Sequence, residues 1–253
     1  MIDHAMLADR LDEAMRAARA VPQLESGLTL DDAYAIQGLL MAARYRRGER
    51  RIGIKMGFTS RAKMAQMGLS EMIFGRLTDA MLIEDGGSVS RSKFVHPRAE
   101  PEIAFLLRAP LAGRIDAMTA MAAVGGLAPA IELIDSRYEN FKFSLTDVVA
   151  DNSSSAGLVI GPWRPADTDL DNLGMIFEID GRPRQIGSSA AILGHPANSL
   201  VAAARLVAER GERLEAGDIV MAGGATAAEA LAPGQTVRVT VQNLGTASFT
   251  LTA

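Results

Sequence analysis

Three glutamates carry the strongest chemical signal in this sequence. In Arg98-Ala-Glu100-Pro-Glu102-Ile-Ala-Phe-Leu-Leu107 two of them stand two residues apart at the start of an apolar run. On a β-strand that spacing sends both side chains to one face and turns Ile103, Phe105 and Leu107 to the other. The third, Glu132, sits inside Ala128-Pro-Ala-Ile-Glu-Leu-Ile134, where its apolar neighbours predict burial. Like charges on one face repel, and a buried carboxylate without a partner costs several kcal/mol, so both features call for something positive between them. One cation shared by Glu100, Glu102 and Glu132 would answer both. The chain has no cysteine, which leaves oxygen ligands suited to Mg²⁺ or Mn²⁺. The alternative is purely structural: Glu100 and Glu102 paired to Arg98 and Arg137, and Glu132 hydrogen-bonded in the core.

Other metal and nucleotide patterns are weaker. Asp167-Thr-Asp169-Leu-Asp171 with Glu178 matches four positions of a calcium loop, but Asn172 replaces the required glycine and prolines 162 and 165 flank it, so it reads as a polar loop. His4, His96 and His195 are far apart in sequence and lack metal-ligand spacing. His195, before Pro196, is expected to start a helix, and His96 lies four residues before Glu100. No phosphate-binding glycine loop or nucleophile elbow occurs. The thirteen methionines read as core filler.

The elements that must position the glutamates follow from periodicity. Residues 4–20 and 30–47 carry helical spacing, the second behind Thr29-Leu-Asp-Asp32 and before Gly48, which predicts an N-terminal helical unit over residues 1–50. From residue 51 the pattern becomes short strand-like runs: 52–58, 81–84, 100–107, 128–134, 157–160, 175–179, 219–221, 237–241 and 247–251. Helices are predicted at 60–67, 115–124 and 196–210, and hairpin turns at Asp180-Gly181 and Asn243-Leu-Gly245. Many short strands with few helices predict an α+β fold, with a mixed β catalytic core over residues 51–253 built on a rolled or sandwich-like sheet.

With 253 residues, 48% hydrophobic and 22% charged, the chain has the composition of a folded globular protein. A net charge of −4, with no basic stripe, argues against a nucleic-acid partner. No signal-peptide pattern or long apolar run stands out, so the sequence predicts a cytoplasmic protein without a membrane span.

Five motifs occur in order: Ile52-Gly-Ile-Lys55-Met-Gly57-Phe-Thr59-Ser60, Phe74-Gly75-Arg-Leu-Thr-Asp79-Ala-Met81, Pro97-Arg-Ala-Glu100-Pro-Glu102-Ile-Ala-Phe105, Pro129-Ala-Ile-Glu132 with Asp135-Ser-Arg137, and Val149-Ala-Asp151-Asn152-Ser-Ser-Ser155. Together they resemble the hydratase/decarboxylase branch of the fumarylacetoacetate hydrolase superfamily over nearly the whole chain. The resemblance implies that superfamily's fold and a Mg²⁺, with Mn²⁺ as the alternative, held by Glu100, Glu102 and Glu132. It also implies Lys55 and Asp79 as acid–base or electrostatic residues, with Thr59, Arg61 and Ser155 toward the substrate.

The implied activity is decarboxylation of 2-oxo-3-hexenedioate to 2-hydroxypenta-2,4-dienoate in meta-cleavage aromatic catabolism. Hydration of a dienoate of that kind is the near alternative, and hydrolysis of an acylpyruvate the more distant one. A catalytically silent subunit supporting a hydratase is a reading from another class. Lys55 lies among apolar residues, where desolvation would lower its pKa; otherwise it snorkels from a strand end. Asp79 is otherwise a turn residue. Arg61, Lys63 and Arg76 are candidates for the second carboxylate of a diacid, or plain surface charges. Ser153, Ser154 and Ser155 could donate to a carboxylate or simply form a turn. A homo-oligomer and association with a 2-hydroxypentadienoate hydratase are also implied.

Overall fold

The computed structural model describes residues 2–24, 27–60, 64 and 71–253. Helix α1 (His4–Arg16) starts at Asp3, whose carboxylate accepts the Met6 N–H at 3.0 Å. It ends four residues earlier than the periodicity predicts, where Ala18 adopts φ +46°. Helix α2 (Leu30–Arg46) starts with the reciprocal Thr29 and Asp32 cap, the arrangement that satisfies two otherwise orphaned N–H groups. Gln37 of α2 donates to the backbone carbonyls of Phe74 and Val149. Leu11, Ile36 and Leu40 share one hydrophobic core with Ile54 and Phe74. The helical unit is thus docked directly on the β core.

The larger sheet contains β1 (Arg51–Gly57), β2 (Ile73–Thr78), β3 (Leu82–Ile83), β5 (Arg98–Leu107), β6 (Val124–Ile134), β7 (Ser155–Ile160) and β11 (Ile219–Met221). Their order is β2-β1-β11-β5-β6-β7-β3, with β8 (Arg164–Pro165) added to β6 and β12 (Glu229–Ala230) to β5. The sheet is mixed: β11 runs parallel to β1 and antiparallel to β5, and β3 runs parallel to β7. The register sets Glu100 opposite Glu132 and places Lys55, Met221 and Ala104 in one row.

The two faces of this sheet bury different cores. Ile103, Phe105 and Leu107 join the main core, whereas Ala104, Ala128, Ala130, Leu158 and Met221 form a small second cluster. The sheet curls until β2 meets the turn before β7: Asn152 accepts the Arg76 N–H and donates to the Arg76 carbonyl. A Cβ on Gly75 would lie 2.4 Å from Ser155 Oγ and 2.5 Å from the Asn152 carbonyl. Only glycine permits that closure.

The second sheet has the order β10-β9-β13-β14-β4, from β4 (Ser88–Ser90), β9 (Gly174–Ile179), β10 (Arg182–Ser188), β13 (Thr236–Val241) and β14 (Gly245–Thr252). Alternate residues Val237, Val239 and Val241 are buried in the main core, the period-2 pattern of a half-covered sheet. Both predicted hairpins form, with Asp180, Gly181, Asn243 and Gly245 at positive φ.

Helix α3 (Ala117–Ala122) falls inside its predicted span, and α5 (Pro196–Glu209) is capped by the His195 ring, which accepts the Ala197 N–H at 3.0 Å. Helix α4 (Leu145–Ala150), with its Ser144 and Asp147 capping box, was not anticipated, nor were β2, β4, β8 and β12. The predicted helix at 60–67 lies mostly outside the described residues. Asp167, Asp169 and Asp171 fall in the turns between β8 and β9, outside any helix or strand. Among the described residues no helix is long and apolar enough to cross a membrane.

Candidate metal centre and substrate cavity

Strand pairing, not proximity in sequence, assembles the site. Glu100 and Glu102 share a face of β5, and Glu132 reaches the same face from β6. One carboxylate oxygen from each of the three lies within 4.8 Å of the others. Glu102 and Glu132 are fully buried, and Glu100 is partly exposed. The alanines beside them, Ala104, Ala128 and Ala130, keep that part of the face free of bulky side chains.

Lys55 reaches the cluster from β1, two strands away. Its Nζ lies 3.0 Å from Glu132 Oε1 and donates to Oε2 at 3.1 Å. Glu102 Oε2 accepts the Gly223 N–H at 2.7 Å. Glu102 Oε1 and Glu132 Oε1 are buried with no hydrogen-bond partner, although the latter stands at ion-pair distance from Lys55. Buried carboxylate oxygens left in that state normally have a partner. Three converging carboxylates, with Glu102 Oε1 left without a partner, fit a hard, oxygen-liganded divalent cation.

Electrostatics point the same way. Burial, followed by the charges of Glu132 and Glu100, pushes the Glu102 carboxyl well above the ordinary range. Burial also raises Glu132, against the opposing pull of Lys55. For Lys55, burial is the largest influence and acts downward, but Glu132, Glu100 and Glu102 together outweigh it and hold the ammonium above its usual pKa. Desolvation alone suggested a lowered value; the facing carboxylates reverse the sign.

Two glycines after β11 let the chain pass this close. A Cβ on Gly224 would meet Glu100 Oε2 at 2.1 Å, and one on Gly223, at φ +101°, would meet Thr59 Oγ1 at 2.1 Å. Neither glycine was singled out from the sequence, although a Gly-Gly pair after a short strand signals close backbone approach.

A cavity of about 190 Å³ opens beside the cluster, with Lys55, Glu100, Thr59, Ser153 and Ser154 among the residues that line it. Asn152, Ser153 and Ser154 all have φ between +50° and +58°, a left-handed run that is unusual for residues other than glycine. Arg137 braces this turn: its N–H and Nε bond the Asp151 carboxylate, and Nη2 bonds the Asp151 carbonyl. Burial lifts the Asp151 carboxyl to about 6 even with Arg137 opposing it. Ser153 Oγ is committed to the Phe74 carbonyl at 2.8 Å. Ser154 Oγ is buried, has no partner, and belongs to a residue lining the cavity. Ser155 lies instead beneath Gly75, so the serine at the cavity is one position earlier than the one chosen from sequence.

Of the residues expected in the site, Lys55, Glu100, Glu102, Glu132 and Thr59 come together. Asp79 does not. It accepts the N–H and Nε of Arg50, both at 2.9 Å. It sits beyond the end of β2 that pairs with Arg51, while Gly75 of the same strand pairs with Lys55. Four residues of extended chain carry it roughly 13 Å from the lysine. Arg76 is turned away into contacts with Gln37 and Glu212. Arg61 and Lys63 lie outside the described residues. Of the structural alternative for the glutamates, Glu132 does hydrogen-bond in the core, to Lys55, whereas Arg137 is committed to Asp151 and Arg98 stacks on the Phe141 ring at 4.1 Å. His96 also packs against Phe141, at 6.2 Å between ring centroids.

Comparison with known proteins adds the following. Residues 50–252 match the family described as fumarylacetoacetate (FAA) hydrolase C-terminal. A 4-oxalocrotonate decarboxylase from Pseudomonas sp. is 56% identical over 248 residues, covering 97% of each chain. A 2-hydroxyhexa-2,4-dienoate hydratase from Comamonas testosteroni is 35% identical over 96% of this chain and 95% of its own. The structure of 4-oxalocrotonate decarboxylase from Pseudomonas putida G7, complexed with magnesium and adipate, superposes with a TM-score of 0.95 at 40% identity. It spans 98% of this chain and 97% of its own.

Proposed function

The chain belongs to the fumarylacetoacetate hydrolase family, and from that premise we propose that it is a Mg²⁺-dependent carboxy-lyase converting 2-oxo-3-hexenedioate to 2-hydroxypenta-2,4-dienoate and CO₂. The relatives with 43–56% identity are 4-oxalocrotonate decarboxylases, whereas the hydratases stand at 32–35%. The observation that carries the reading is the convergence of Glu100, Glu102, Glu132 and Lys55 beside a cavity that Lys55 and Glu100 line, with Glu102 Oε1 buried and without a hydrogen-bond partner.

Glu100, Glu102 and Glu132 hold the cation. When bound, Mg²⁺ supplies Lewis-acid polarisation of a 2-oxo acid. The carboxylate to be lost sits on the saturated carbon next to a double bond that is conjugated with the 2-oxo group, so breaking its C–C bond delivers an electron pair toward the C2 oxygen. Lys55 Nζ, kept charged by its carboxylate neighbours, is placed to steady that negative charge and to supply a proton to the product enol. Ser154 Oγ and Thr59 orient the substrate, and the apolar remainder of the wall excludes water. Asp79 and Ser155 take no part in these contacts, and Arg61 is retained as a candidate for the second carboxylate.

The reading extends to a cytoplasmic homo-oligomer acting in meta-cleavage catabolism and passing its dienol to a 2-hydroxypentadienoate hydratase; the instability of an enol product supports such a hand-over. The N-terminal unit, residues 1–50, is read as a brace for the catalytic core, residues 51–253. The test is CO₂ release from 2-oxo-3-hexenedioate with Mg²⁺, after EDTA, and after metal add-back, beside Lys55→Ala. Turnover that survives EDTA, or a Lys55→Ala protein as active as the parent, overturns the proposal; water addition to a dienoate without CO₂ release favours a hydratase.

A further inference from the structure

The cavity wall that carries Ser154 is held from behind by a residue of the N-terminal helices. Gln37, on α2, is fully buried, and both polar atoms of its amide are committed. Its Nε2 donates to the Phe74 carbonyl at 3.1 Å and to the Val149 carbonyl at 2.9 Å, and its Oε1 accepts an N–H of Arg76. A buried amide satisfied in this way fixes its partners, since each lost contact would leave a polar group unpaired away from water.

Both carbonyls belong to segments that line the cavity. Ile73 precedes Phe74 on β2 and Val148 precedes Val149 on α4, and both are lining residues together with Ser153 and Ser154. The Phe74 carbonyl accepts a second hydrogen bond, from Ser153 Oγ at 2.8 Å, so Gln37 and Ser153 meet at one oxygen. Tyr34, also on α2, accepts the Phe74 N–H at 3.2 Å and stacks on its ring at 5.0 Å between centroids. The turn that leaves α4 has Asn152, Ser153 and Ser154 at positive φ, a conformation that persists only where its surroundings over-determine it. Arg137 holds the Asp151 end of that turn. Gln37 ties together the helix it leaves and the strand it rests on.

We propose that Gln37 is a positioning residue for the substrate: through the Phe74 and Val149 carbonyls it fixes the Asn152–Ser154 turn, and with it the Ser154 hydroxyl that meets the bound 2-oxo acid. This rests on the function proposed above. The N-terminal helical unit thereby takes part in substrate recognition as well as in packing. The hydrogen bonds of the Gln37 side chain go to β2 and α4, whereas the three glutamates stand on β5 and β6. Loss of Gln37 therefore disturbs the serine wall and leaves the cation's ligands in place.

The experiment is a double-mutant cycle on binding of 2-oxoadipate, the saturated analogue that lacks the conjugating double bond. Calorimetry with Mg²⁺ compares wild type, Gln37→Leu, Ser154→Ala and the double variant. Gln37→Glu is the second Gln37 variant, because it keeps the side-chain shape and an acceptor for Arg76 while losing the amide donors. Each single variant is expected to weaken binding about five- to tenfold, and the double variant to lose no more than Ser154→Ala alone, as groups acting through one network do. KM for CO₂ release should rise with the binding loss, while kcat changes less than about threefold. The Tm gain from Mg²⁺ without substrate should match wild type. Additive losses, unchanged binding in Ser154→Ala or in both Gln37 variants, a lost Mg²⁺ response, or a wild type that binds no 2-oxoadipate would each overturn the proposal. Wild type that binds 2-oxoadipate yet releases no CO₂ from 2-oxo-3-hexenedioate refutes the proposed function instead, and the binding cycle still decides the role of Gln37.

Discussion

Replacing Glu102 by glutamine should make the metal-free protein more stable while removing its response to Mg²⁺. Glu102 is fully buried and has a carboxylate oxygen within 4.8 Å of those of Glu100 and Glu132. Two unit charges at that distance repel by about 3 kcal/mol at an effective dielectric of ~20. Lys55 offsets part of this, and burial already raises the Glu102 carboxyl, which lessens the repulsion to be relieved. The net gain should therefore be about 1–3 kcal/mol at pH 8. The isosteric amide keeps an oxygen for the Gly223 N–H, so no new orphan is created there. For a chain of this size each kcal/mol moves Tm by roughly 2–4 °C, giving an increase of roughly 2–12 °C in EDTA. Wild type, in contrast, should gain about 2.7 kcal/mol from Mg²⁺ at a hundred times its Kd, and the variant far less. Differential scanning fluorimetry in EDTA and in a Mg²⁺ series reads both numbers. A variant that melts below wild type in EDTA, or that keeps the full Mg²⁺ shift, would show that the three carboxylates are not a mutually repelling, metal-seeking cluster.

The pH dependence of the metal-free protein has a defined sign. Glu102, Glu132 and Asp151 all have folded pKa values raised by burial, so their contribution is fully present below the unfolded carboxylate range and is lost as pH rises through the folded values. Tm in EDTA should accordingly fall between pH 5 and pH 8, and Mg²⁺ should flatten the slope; a rising Tm across that window contradicts the assignment. Gly75→Ala drives a Cβ into Ser155 Oγ and the Asn152 carbonyl, and should cost about 1–3 kcal/mol, read as a lower urea midpoint with an unchanged m-value. Asp79→Asn should leave decarboxylation within about twofold of wild type, because Asp79 is engaged in a solvent-screened pair with Arg50 away from Lys55; a loss of a hundredfold would place Asp79 in the chemistry after all.

What could be read along the chain was whatever depends on neighbours in sequence. The helix starts at Thr29 and His195 and the hairpins at Asp180-Gly181 and Asn243-Leu-Gly245 are local hydrogen-bonding and backbone preferences, and all four form as expected. The two-residue spacing of Glu100 and Glu102 decided that they share a face, because strand side chains alternate. The burial of Glu132 was equally visible in its apolar flanks.

Other features could not be read that way, since they depend on which strands pair and where the sheet closes. Lys55 meets Glu132 because β11, from the far end of the chain, inserts between β1 and β5. That meeting reverses the expected direction of its pKa, a quantity governed by charges through space and invisible to the apolar residues beside it in sequence. Asp79 looked like a partner for Lys55 because the family resemblance implied it, yet antiparallel pairing of β1 with β2 sets Gly75 opposite Lys55 and carries Asp79 beyond the end of the strand. Ser154 and not Ser155 reaches the cavity because three left-handed residues turn the chain there. Residue types and short spacings thus determined by themselves which groups could bind a cation, since ligand chemistry and side-chain alternation are local. Only tertiary structure decided which cation, carboxylate and aromatic ring face one another, because long-range strand pairing sets those distances and with them the electrostatics.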